Sequence, residues 1–233
     1  MPHILDNPAW NALISGNKNL SYGNDEVKYF DREVSPFVAM KEISEDHFKI
    51  LHELLPHSIP VLFISPERME FPNFWSVRRL IKGIQMIYEG DILKEISYDN
   101  IIPLKTEDVP QMISLTKLTD PGPFGLRTIE FGHYHGIFDR DRLVAMAGQR
   151  LHVYNYTEVS AVCTHPDHTG KGYARQLLKH QIKRMQSEGN VPYLHVRSDN
   201  DRAIKVYADL GFKTRREIYF YVIQKPPNSL KGA

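Results

Sequence analysis

The segment that most constrains this chain is a polar, glycine-bearing stretch from Thr164 to Ala174. It follows 157–163, which is predicted to be a strand, and precedes 172–188, where apolar residues recur at helical spacing. Gly170 and Gly172 let the backbone turn tightly and approach a ligand closely. The first N–H groups of a helix have no partner inside it, and the helix dipole makes that end positive. This order of elements predicts an anion site, with pyrophosphate as the natural ligand.

Several kinds of glycine loop bind phosphate, and their spacing separates them. A nucleotide-hydrolase P-loop requires Ser or Thr directly after its Gly-Lys pair, but Gly172 follows Lys171 here. A Rossmann dinucleotide fingerprint requires Gly or Ala where this chain has Arg175. An ordinary turn before a helix is the remaining alternative for the loop taken alone.

A second motif lies downstream, where residues 198–212 read SDNDRAIKVYADLGF. This segment resembles the N-x-x-A-x-x-x-Y-x-x-x-G-F motif of the GNAT acetyltransferases, with every named position present. The loop resembles the coenzyme A loop of the same superfamily, Arg/Gln-x-x-Gly-x-Gly/Ala, except that Thr169 stands at its first position. The resemblance covers roughly 101–223, and the run 158–167 is similar to the glycine N-acyltransferase-like branch.

The fold class expected from pattern and resemblance together is α/β (α+β). It is a mixed, mostly antiparallel twisted sheet flanked by helices, the GNAT fold. Helices are predicted at 44–55 with Ser44 as N-cap, 106–118 with Thr106 as cap, 172–188 and 201–210. Strands are predicted at 61–64, 101–104, 129–138, 143–152, 157–163, 193–197 and 217–223, with 74–88 ambiguous.

Three regions are expected along the chain. Residues 101–225 form the GNAT acetyltransferase domain, and 226–233 form a polar tail. Residues 1–100 match no known motif and form an N-terminal domain. A cap, a degenerate second GNAT-like unit and a homodimer surface all stay open for it, and the resembled branch also carries an N-terminal domain.

The resemblance implies that acetyl-coenzyme A, or another acyl-CoA, is the co-substrate. Backbone amides of the loop would hold its pyrophosphate, and Asn200 would bond the pantetheine arm besides capping its helix. The strand before the loop would splay from its neighbour, so that its backbone binds the arm and the Val162 N–H polarises the thioester oxygen. The implied cofactor-binding residues are Val162, Cys163, Thr164, Thr169, Gly170, Lys171, Gly172, Tyr173, Ala174, Arg175, Asn200 and Tyr207. Thr169 in place of Arg or Gln predicts weaker affinity rather than loss of binding.

The catalytic residues implied are Tyr207 and Glu158. A phenol with a pKa near ~10 stays protonated at neutral pH, so Tyr207 can protonate the leaving thiolate; the alternative is a core aromatic on an amphipathic helix. Glu158 matches a glutamate that takes the amine proton in the resembled branch; the alternatives are a solvated strand-end carboxylate and a water relay. Cys163 as a nucleophile is disfavoured, because a strand cysteine is more often a small buried residue.

Other polar residues carry weaker hypotheses. His133 and His135 alternate on a predicted strand, but without metal-ligand spacing, so no metal is expected. Arg127, Glu130 and His133 are placed near the acceptor by element order alone. Arg127 would bind an acceptor carboxylate bidentately or sit in a surface salt bridge.

Composition narrows the partners. The net charge of +1 argues against nucleic acid and against an anionic membrane. One cysteine excludes an intrachain disulfide and suggests the cytoplasm, and neither a signal peptide nor an apolar run long enough to span a bilayer is recognised. The expected acceptor is a small-molecule amine or an amino acid. The competing function is a non-catalytic acyl-CoA-binding sensor.

Overall fold

The computed structural model describes residues 2–56, 58–93 and 98–226. Within them the strands form one sheet in the spatial order β1-β2-β3-β4-β11-β5-β10-β9-β8-β7-β6. The strands are β1 (Ser21–Gly23), β2 (Val27–Phe30), β3 (Phe37–Met40), β4 (Val61–Ser65), β5 (Ser76–Tyr88), β6 (Ile102–Pro103), β7 (His135–Asp139), β8 (Arg142–Val153), β9 (Tyr156–Thr164), β10 (Val191–Arg197) and β11 (Phe212–Gln224). The helices are α1 (Pro8–Ile14), α2 (Glu45–Leu54), α3 (Val109–Thr119), α4 (Tyr173–Ser187) and α5 (Asp201–Leu210).

Most neighbouring strands run antiparallel. Within the described chain the exceptions are β3 with β4 and β9 with β10, which pair in parallel. The second parallel pair needs a crossover, and α4 provides it. The predicted mixed, mostly antiparallel sheet flanked by helices is confirmed.

Helices cover both faces of the sheet. Successive strand residues point to opposite sides, so apolar residues at neighbouring positions pack against helices on opposite faces. In β10, Tyr193 belongs to the core beneath α1 and α3, whereas its neighbour Leu194 packs with Leu178 and Ile182 of α4. Helix α2 packs through Phe48 in a separate cluster with β2, β3, β4 and β11. Core residues on both faces hold the middle of the sheet in place, and the candidate site opens there.

The chain segments before and after residue 100 share this sheet. Strand β5 lies between β10 and β11 and pairs with both of them. The division predicted at residue 100 stays a prediction about folding units, since the sheet itself runs across it. Of the predicted tail, all but Pro226 lies outside the described residues.

Two predicted elements are corrected by the structure. The helix predicted from Thr106 begins as a 3-10 turn at Thr106–Asp108, and α3 starts only at Val109. Thr106 does not cap it, since the turn is capped through the Lys105 backbone N–H, which donates to Asp108 (2.8 Å). The strand predicted at 129–138 is a 3-10 turn over Thr128–Phe131 followed by β7, because Gly132 and His133 both adopt positive φ.

Candidate active site

Strands β9 and β10 separate in the middle of the sheet. They pair from Tyr156 with Val191 to Glu158 with Tyr193, and in the described chain they form no pair beyond that point. From Glu158 onward the two strands diverge toward the loop that follows β9. The result is a V-shaped split whose closed end lies at Glu158 and whose open end leads toward the loop.

A β-bulge lies on the β9 side of this split. Gly148 of β8 pairs with Ser160 and Met146 pairs with Cys163, so β9 carries one extra residue between them. Ala161 takes up the difference with a left-handed φ of 53°. The bulge turns this part of β9 away from regular pairing, which is the local irregularity expected for a strand that presents its backbone to a ligand.

The loop after β9 presents free amides. Gly170 (φ 81°) and Gly172 (φ 79°) both adopt the left-handed region that favours glycine. Gly172 is the N-cap of α4, and no side chain among the described residues caps this helix end. Within the described chain the N–H groups of residues 170–175 have no hydrogen-bond partner. A Cβ built on either glycine would meet nothing within 4 Å, so the space beside both glycines is open.

The loop side chains are arranged around these amides. The Thr169 hydroxyl donates to the Pro166 carbonyl (2.9 Å), which leaves its lone pairs as acceptors only. Lys171 is exposed and is free to approach an anion, while Tyr173 and Ala174 lie in the first turn of α4. Arg175 pairs with Asp209 of α5 at 3.3 Å, so it would have to leave that partner to contact a phosphate.

A cleft of about 470 Å³ opens along the split and the sheet face beside it. Part of its lining comes from β9, β10 and α5, and an apolar part, called the apolar wall, comes from β3, β4, β5 and β11. The loop 120–123 borders it. The wall on the split side includes Val159, Ser160, Ala161, Val162, Val196, Asn200, Ala203 and Tyr207, and the apolar wall includes Phe37, Leu62, Ile81, Phe220 and Val222.

Tyr207 and Asn200 both line this cleft. Asn200 caps α5 by accepting from the Ala203 N–H (3.1 Å) through its side-chain oxygen, and its amide nitrogen stays available. The Tyr207 hydroxyl has no hydrogen-bond partner within the described chain, although its ring packs on Phe212. Burial raises the pKa of Tyr207 to about 12, with a smaller contribution from Cys163. Tyr207 is therefore a protonated donor in the cleft.

Cys163 and Thr164 lie at the end of β9 and face inward. Cys163 is buried, and burial raises the pKa of its thiol to about 12, so a thiolate nucleophile is unavailable at neutral pH. The Thr164 hydroxyl is buried and has no hydrogen-bond partner in the described part of the chain. Both residues can contribute to a ligand site only through their backbone groups.

Glu158 lies at the closed end of the split and is fully buried. Its carboxylate accepts from Arg150 through Nε (3.0 Å) and Nη2 (2.5 Å) and from Nδ1 of His195 (2.8 Å). Burial alone would raise its pKa, but the Arg150 charge and the His195 contact outweigh burial and lower the pKa to about 2. A carboxylate in this state is a weak proton acceptor, so the surroundings weigh against the predicted role as a direct base.

Sequence reasoning missed Arg150 and His195, which both line the cleft. One signal for Arg150 was present: it is the only charged residue within the run 143–153, whose other members are mostly apolar. His195 carried no such signal, because an isolated histidine in a predicted strand has many ordinary explanations.

The residues placed near the acceptor by element order do not line the cleft. Arg127 binds Glu130 bidentately (2.6 and 3.0 Å) and also contacts Asp31 (3.2 Å), which corresponds to the surface salt bridge alternative. His133 precedes β7, and its backbone carbonyl accepts from Gln181 of α4 (2.7 Å). In the portion of the chain that the structure describes, no group of three or more His, Cys, Asp or Glu is arranged to hold a metal ion. Nor is any described helix long and apolar enough to cross a bilayer.

Comparison with known proteins agrees with this geometry. Residues 134–221 match the FR47-like protein family. The crystal structure of a GNAT-family protein from Novosphingobium aromaticivorans is 33% identical, with a TM-score of 0.90 over 97% of this chain and 100% of that one. A GCN5-related N-acetyltransferase from Kribbella flavida shares the fold at 13% identity, with a TM-score of 0.60 over 96% of this chain and 97% of that one.

A shorter match involves an enzyme of more specific description. The N-alpha-acetyltransferase RimI of Mycobacterium tuberculosis is 35% identical over 94 residues, which are 37% of this chain and 58% of RimI. The match thus spans little more than half of that relative's length. Together with the full-length similarity, these findings show that the chain belongs to the GNAT family of acetyltransferases. The closer resemblance to the glycine N-acyltransferase-like branch stays a prediction.

Proposed function

We propose that this protein is an N-acyltransferase. It transfers an acetyl or short acyl group from coenzyme A to a primary amine of a small molecule or amino acid. The observation that carries the proposal is the split between β9 and β10, which leads directly to the free amides of residues 170–175. A long thin cofactor with a pyrophosphate at one end and a thioester at the other fits that arrangement. The pyrophosphate would accept from the amides at the α4 N-terminus.

Each step of the reaction has a candidate group in the cleft. The acceptor amine attacks the thioester carbon, and the carbonyl oxygen gains negative charge. The Val162 N–H beside the bulge is the proposed donor to that oxygen. When the carbon–sulfur bond breaks, the thiolate takes a proton. Tyr207 is the proposed donor because its hydroxyl is protonated and has no hydrogen-bond partner among the described residues. No covalent acyl-enzyme is required, since Cys163 is buried and protonated.

The amine proton needs a destination. Glu158 is our candidate base from sequence, but both its oxygens already accept hydrogen bonds and its pKa is low. Transfer to solvent through a water relay along the cleft is therefore the alternative that the surroundings favour.

The sensor alternative keeps the same cofactor site without chemistry. The Tyr207 hydroxyl lines the cleft without a hydrogen-bond partner among the described residues. This favours the enzyme, because a binding protein has no need of an uncommitted proton donor there. The name of the relative RimI, an N-alpha-acetyltransferase, suggests a protein α-amine as a further acceptor class.

A cytoplasmic location stays our proposal, on the single buried cysteine.

Two measurements on the intact protein test the proposal. Calorimetry should show acetyl-CoA binding, and a thiol-detection assay should show CoA release that depends on an added amine. A panel of amino acids, amino-acid amides, arylamines and polyamines covers the acceptor classes. Binding with no amine-dependent release across the panel would support the sensor instead, and absence of binding would overturn both.

A further inference from the structure

Three buried polar side chains meet at the closed end of the split. The Arg150, Glu158 and His195 side chains are 12%, 1% and 2% exposed, respectively. Arg150 donates to both oxygens of Glu158 in a bidentate pair, and His195 donates to one of them. Such a pair fixes the plane of the guanidinium more firmly than a single contact would.

The hydrogen bonds of Gln85 determine which ring nitrogen of His195 carries a proton. The side-chain nitrogen of Gln85 donates to the Leu5 carbonyl (2.9 Å), and its oxygen accepts from Arg215 (2.9 Å). That orientation is fixed, so the same nitrogen also donates to His195 Nε2 (2.9 Å). His195 is therefore neutral, with Nδ1 donating and Nε2 accepting. Within the described chain both ring nitrogens of His195 are engaged, by Gln85 and by Glu158. Both Glu158 oxygens are engaged as well, one by Arg150 and His195 and the other by Arg150 and the Leu151 N–H (3.4 Å).

Arg150 retains a donor. Its Nε and Nη2 are occupied by Glu158, whereas Nη1 has no hydrogen-bond partner within the described chain. The guanidinium carbon lies 4.7 Å from the centre of the Phe37 ring, and both residues line the cleft. A guanidinium N–H held over an apolar surface needs a partner, and a bound ligand can supply one.

The position along the split indicates which ligand meets Arg150. The pyrophosphate amides lie beyond the open end, after β9, and Glu158 marks the closed end. A cofactor that enters from the loop therefore points its thioester toward Arg150. The molecule beyond the thioester is the acceptor, so Arg150 lies beside the acceptor rather than the cofactor phosphates.

Charge selects the kind of oxygen that Arg150 binds. Glu158 already neutralises its charge, and His195 is neutral. Among the described residues, the other charged side chains lining the cleft are Arg79, Arg197 and Asp120, all of them exposed. Arg197 is paired with Asp199 (2.7 Å). A ligand carboxylate at the buried end would add an unmatched negative charge, whereas a neutral carbonyl oxygen would not.

Resting on the proposed function, we propose that Arg150 is a specificity-determining residue and that the acceptor is an α-amino amide. The Nη1 group of Arg150 donates to the carbonyl oxygen next to the reacting amine. Glu158 is a positioning residue that fixes Arg150, and it does not itself accept the amine proton. The apolar wall formed by Phe37, Leu62, Ile81, Phe220 and Val222 receives an apolar side chain of the acceptor. Amino-acid amides and the N-terminal residues of peptides share this chemistry.

Three acceptors of similar size test the proposal. Phenylalaninamide carries the neutral carbonyl, phenylalanine carries a carboxylate, and phenethylamine carries neither. Values of kcat/KM are compared on the concentration of uncharged amine, because the three amines differ in basicity. We expect phenylalaninamide to exceed both others by about 10-fold or more, the effect of one hydrogen bond to a charged group. Equal values for phenylalaninamide and phenethylamine would overturn the proposal.

Variants separate recognition from folding. Arg150→Lys keeps the positive charge but loses the planar guanidinium that binds Glu158 bidentately. The double variant Arg150→Met/Glu158→Gln avoids an unpaired buried charge. Both should raise the KM for phenylalaninamide about 10-fold, with the phenethylamine KM and the acetyl-CoA Kd unchanged. Arg127→Met, which removes a comparable bidentate pair away from the cleft, should leave all three values unchanged.

The outcomes remain distinct from failure of the proposed function. If the variants lose activity equally on all acceptors, Arg150 has only a structural role and the proposal is wrong. If a variant does not fold, the ranking of acceptors by the unchanged protein still decides. If the unchanged protein releases no thiol with any amine, the acyltransferase proposal itself fails, and the specificity proposal with it.

Discussion

Tyr207 and Glu158 show how strongly the neighbours of a side chain determine the chemical role that it can have. Both were singled out by position in a motif, and both lie at the split. In the described part of the chain the Tyr207 hydroxyl has no hydrogen-bond partner, whereas Glu158 is bound by Arg150 and His195. The motif could predict the position of each side chain in chain order. It could not predict the neighbours, because Arg150 and His195 come from strands that flank β9 only after folding.

Replacing Tyr207 by Phe tests its role as acid. The substitution removes the proton donor and little volume, so we expect kcat to fall by about 10²–10³-fold while the acetyl-CoA Kd changes little. Because burial raises the pKa of Tyr207 to about 12, loss of its proton should not limit the unchanged enzyme below about pH 10. Steady-state kinetics across pH measure both effects. Tyr154→Phe, in an exposed turn, is the control, and an unaltered kcat in Tyr207→Phe would remove Tyr207 from the mechanism.

The ion pair of Glu158 predicts a pH dependence of stability. Its pKa is about 2 in the folded protein against an ordinary value of 4.5, so the unfolded chain binds the proton first as pH falls. This contribution is therefore fully present above about pH 5 and is lost as pH falls toward 2. Urea unfolding of the unchanged protein and of Glu158→Gln at pH 7 and pH 3 measures it. The difference between their unfolding free energies should shrink at pH 3, and a constant difference would contradict the low pKa.

Sequence pattern predicted the helices and strands that are determined by residues within or next to the element itself. The predicted strand 157–163, the loop and the helix 172–188 agree with β9 and α4 to within a residue or two at each end. The predicted strand 129–138 was wrong because of the positive φ of Gly132 and His133 and because of contacts outside its own segment. Thr128 donates to the Val34 carbonyl (2.7 Å) and accepts from the Gly125 N–H (2.8 Å), and these contacts hold the 3-10 turn. No spacing near residue 128 reports a partner 94 positions earlier.

The two ends of α4 provide a matched test of the loop. Gly172 and Gly189 have φ of 79° and 76°, and an added Cβ would meet nothing at either. Valine at both positions therefore causes the same backbone strain, about 1–2 kcal/mol. We expect Gly172→Val to abolish measurable acetyl-CoA binding in calorimetry, because its side chain enters the space in front of the amides. Gly189→Val should bind acetyl-CoA as the unchanged protein does, and equal losses in both would mean that the loop is not the phosphate site.

At the scale of the whole molecule, one sheet draws on both halves of the chain. The apolar wall of the cleft includes Phe37 and Leu62 from the first half and Phe220 from the second. Gln85 of β5 fixes His195 from β10. Sequence pattern left 74–88 ambiguous, because the register of β5 depends on pairing with strands more than a hundred residues later. The acceptor half of the site was therefore beyond the reach of motif reasoning.

A fragment of residues 101–225 tests the division predicted at residue 100. Without β5, strands β10 and β11 lose the neighbour that pairs with both. We expect the fragment to lack a cooperative thermal transition in circular dichroism and to bind no acetyl-CoA, with the full chain as control. A fragment that unfolds cooperatively would instead support the boundary at residue 100 as a true domain boundary.

The central claim is that the split between β9 and β10 and the amides after β9 together hold an acyl-CoA. A crystal structure of the full chain with acetyl-CoA measures this directly. We predict the pantetheine arm between the two strands, the pyrophosphate on the amides of residues 170–175, and the thioester within reach of the Tyr207 hydroxyl. A cofactor bound elsewhere, with the split closed or empty, would contradict the account.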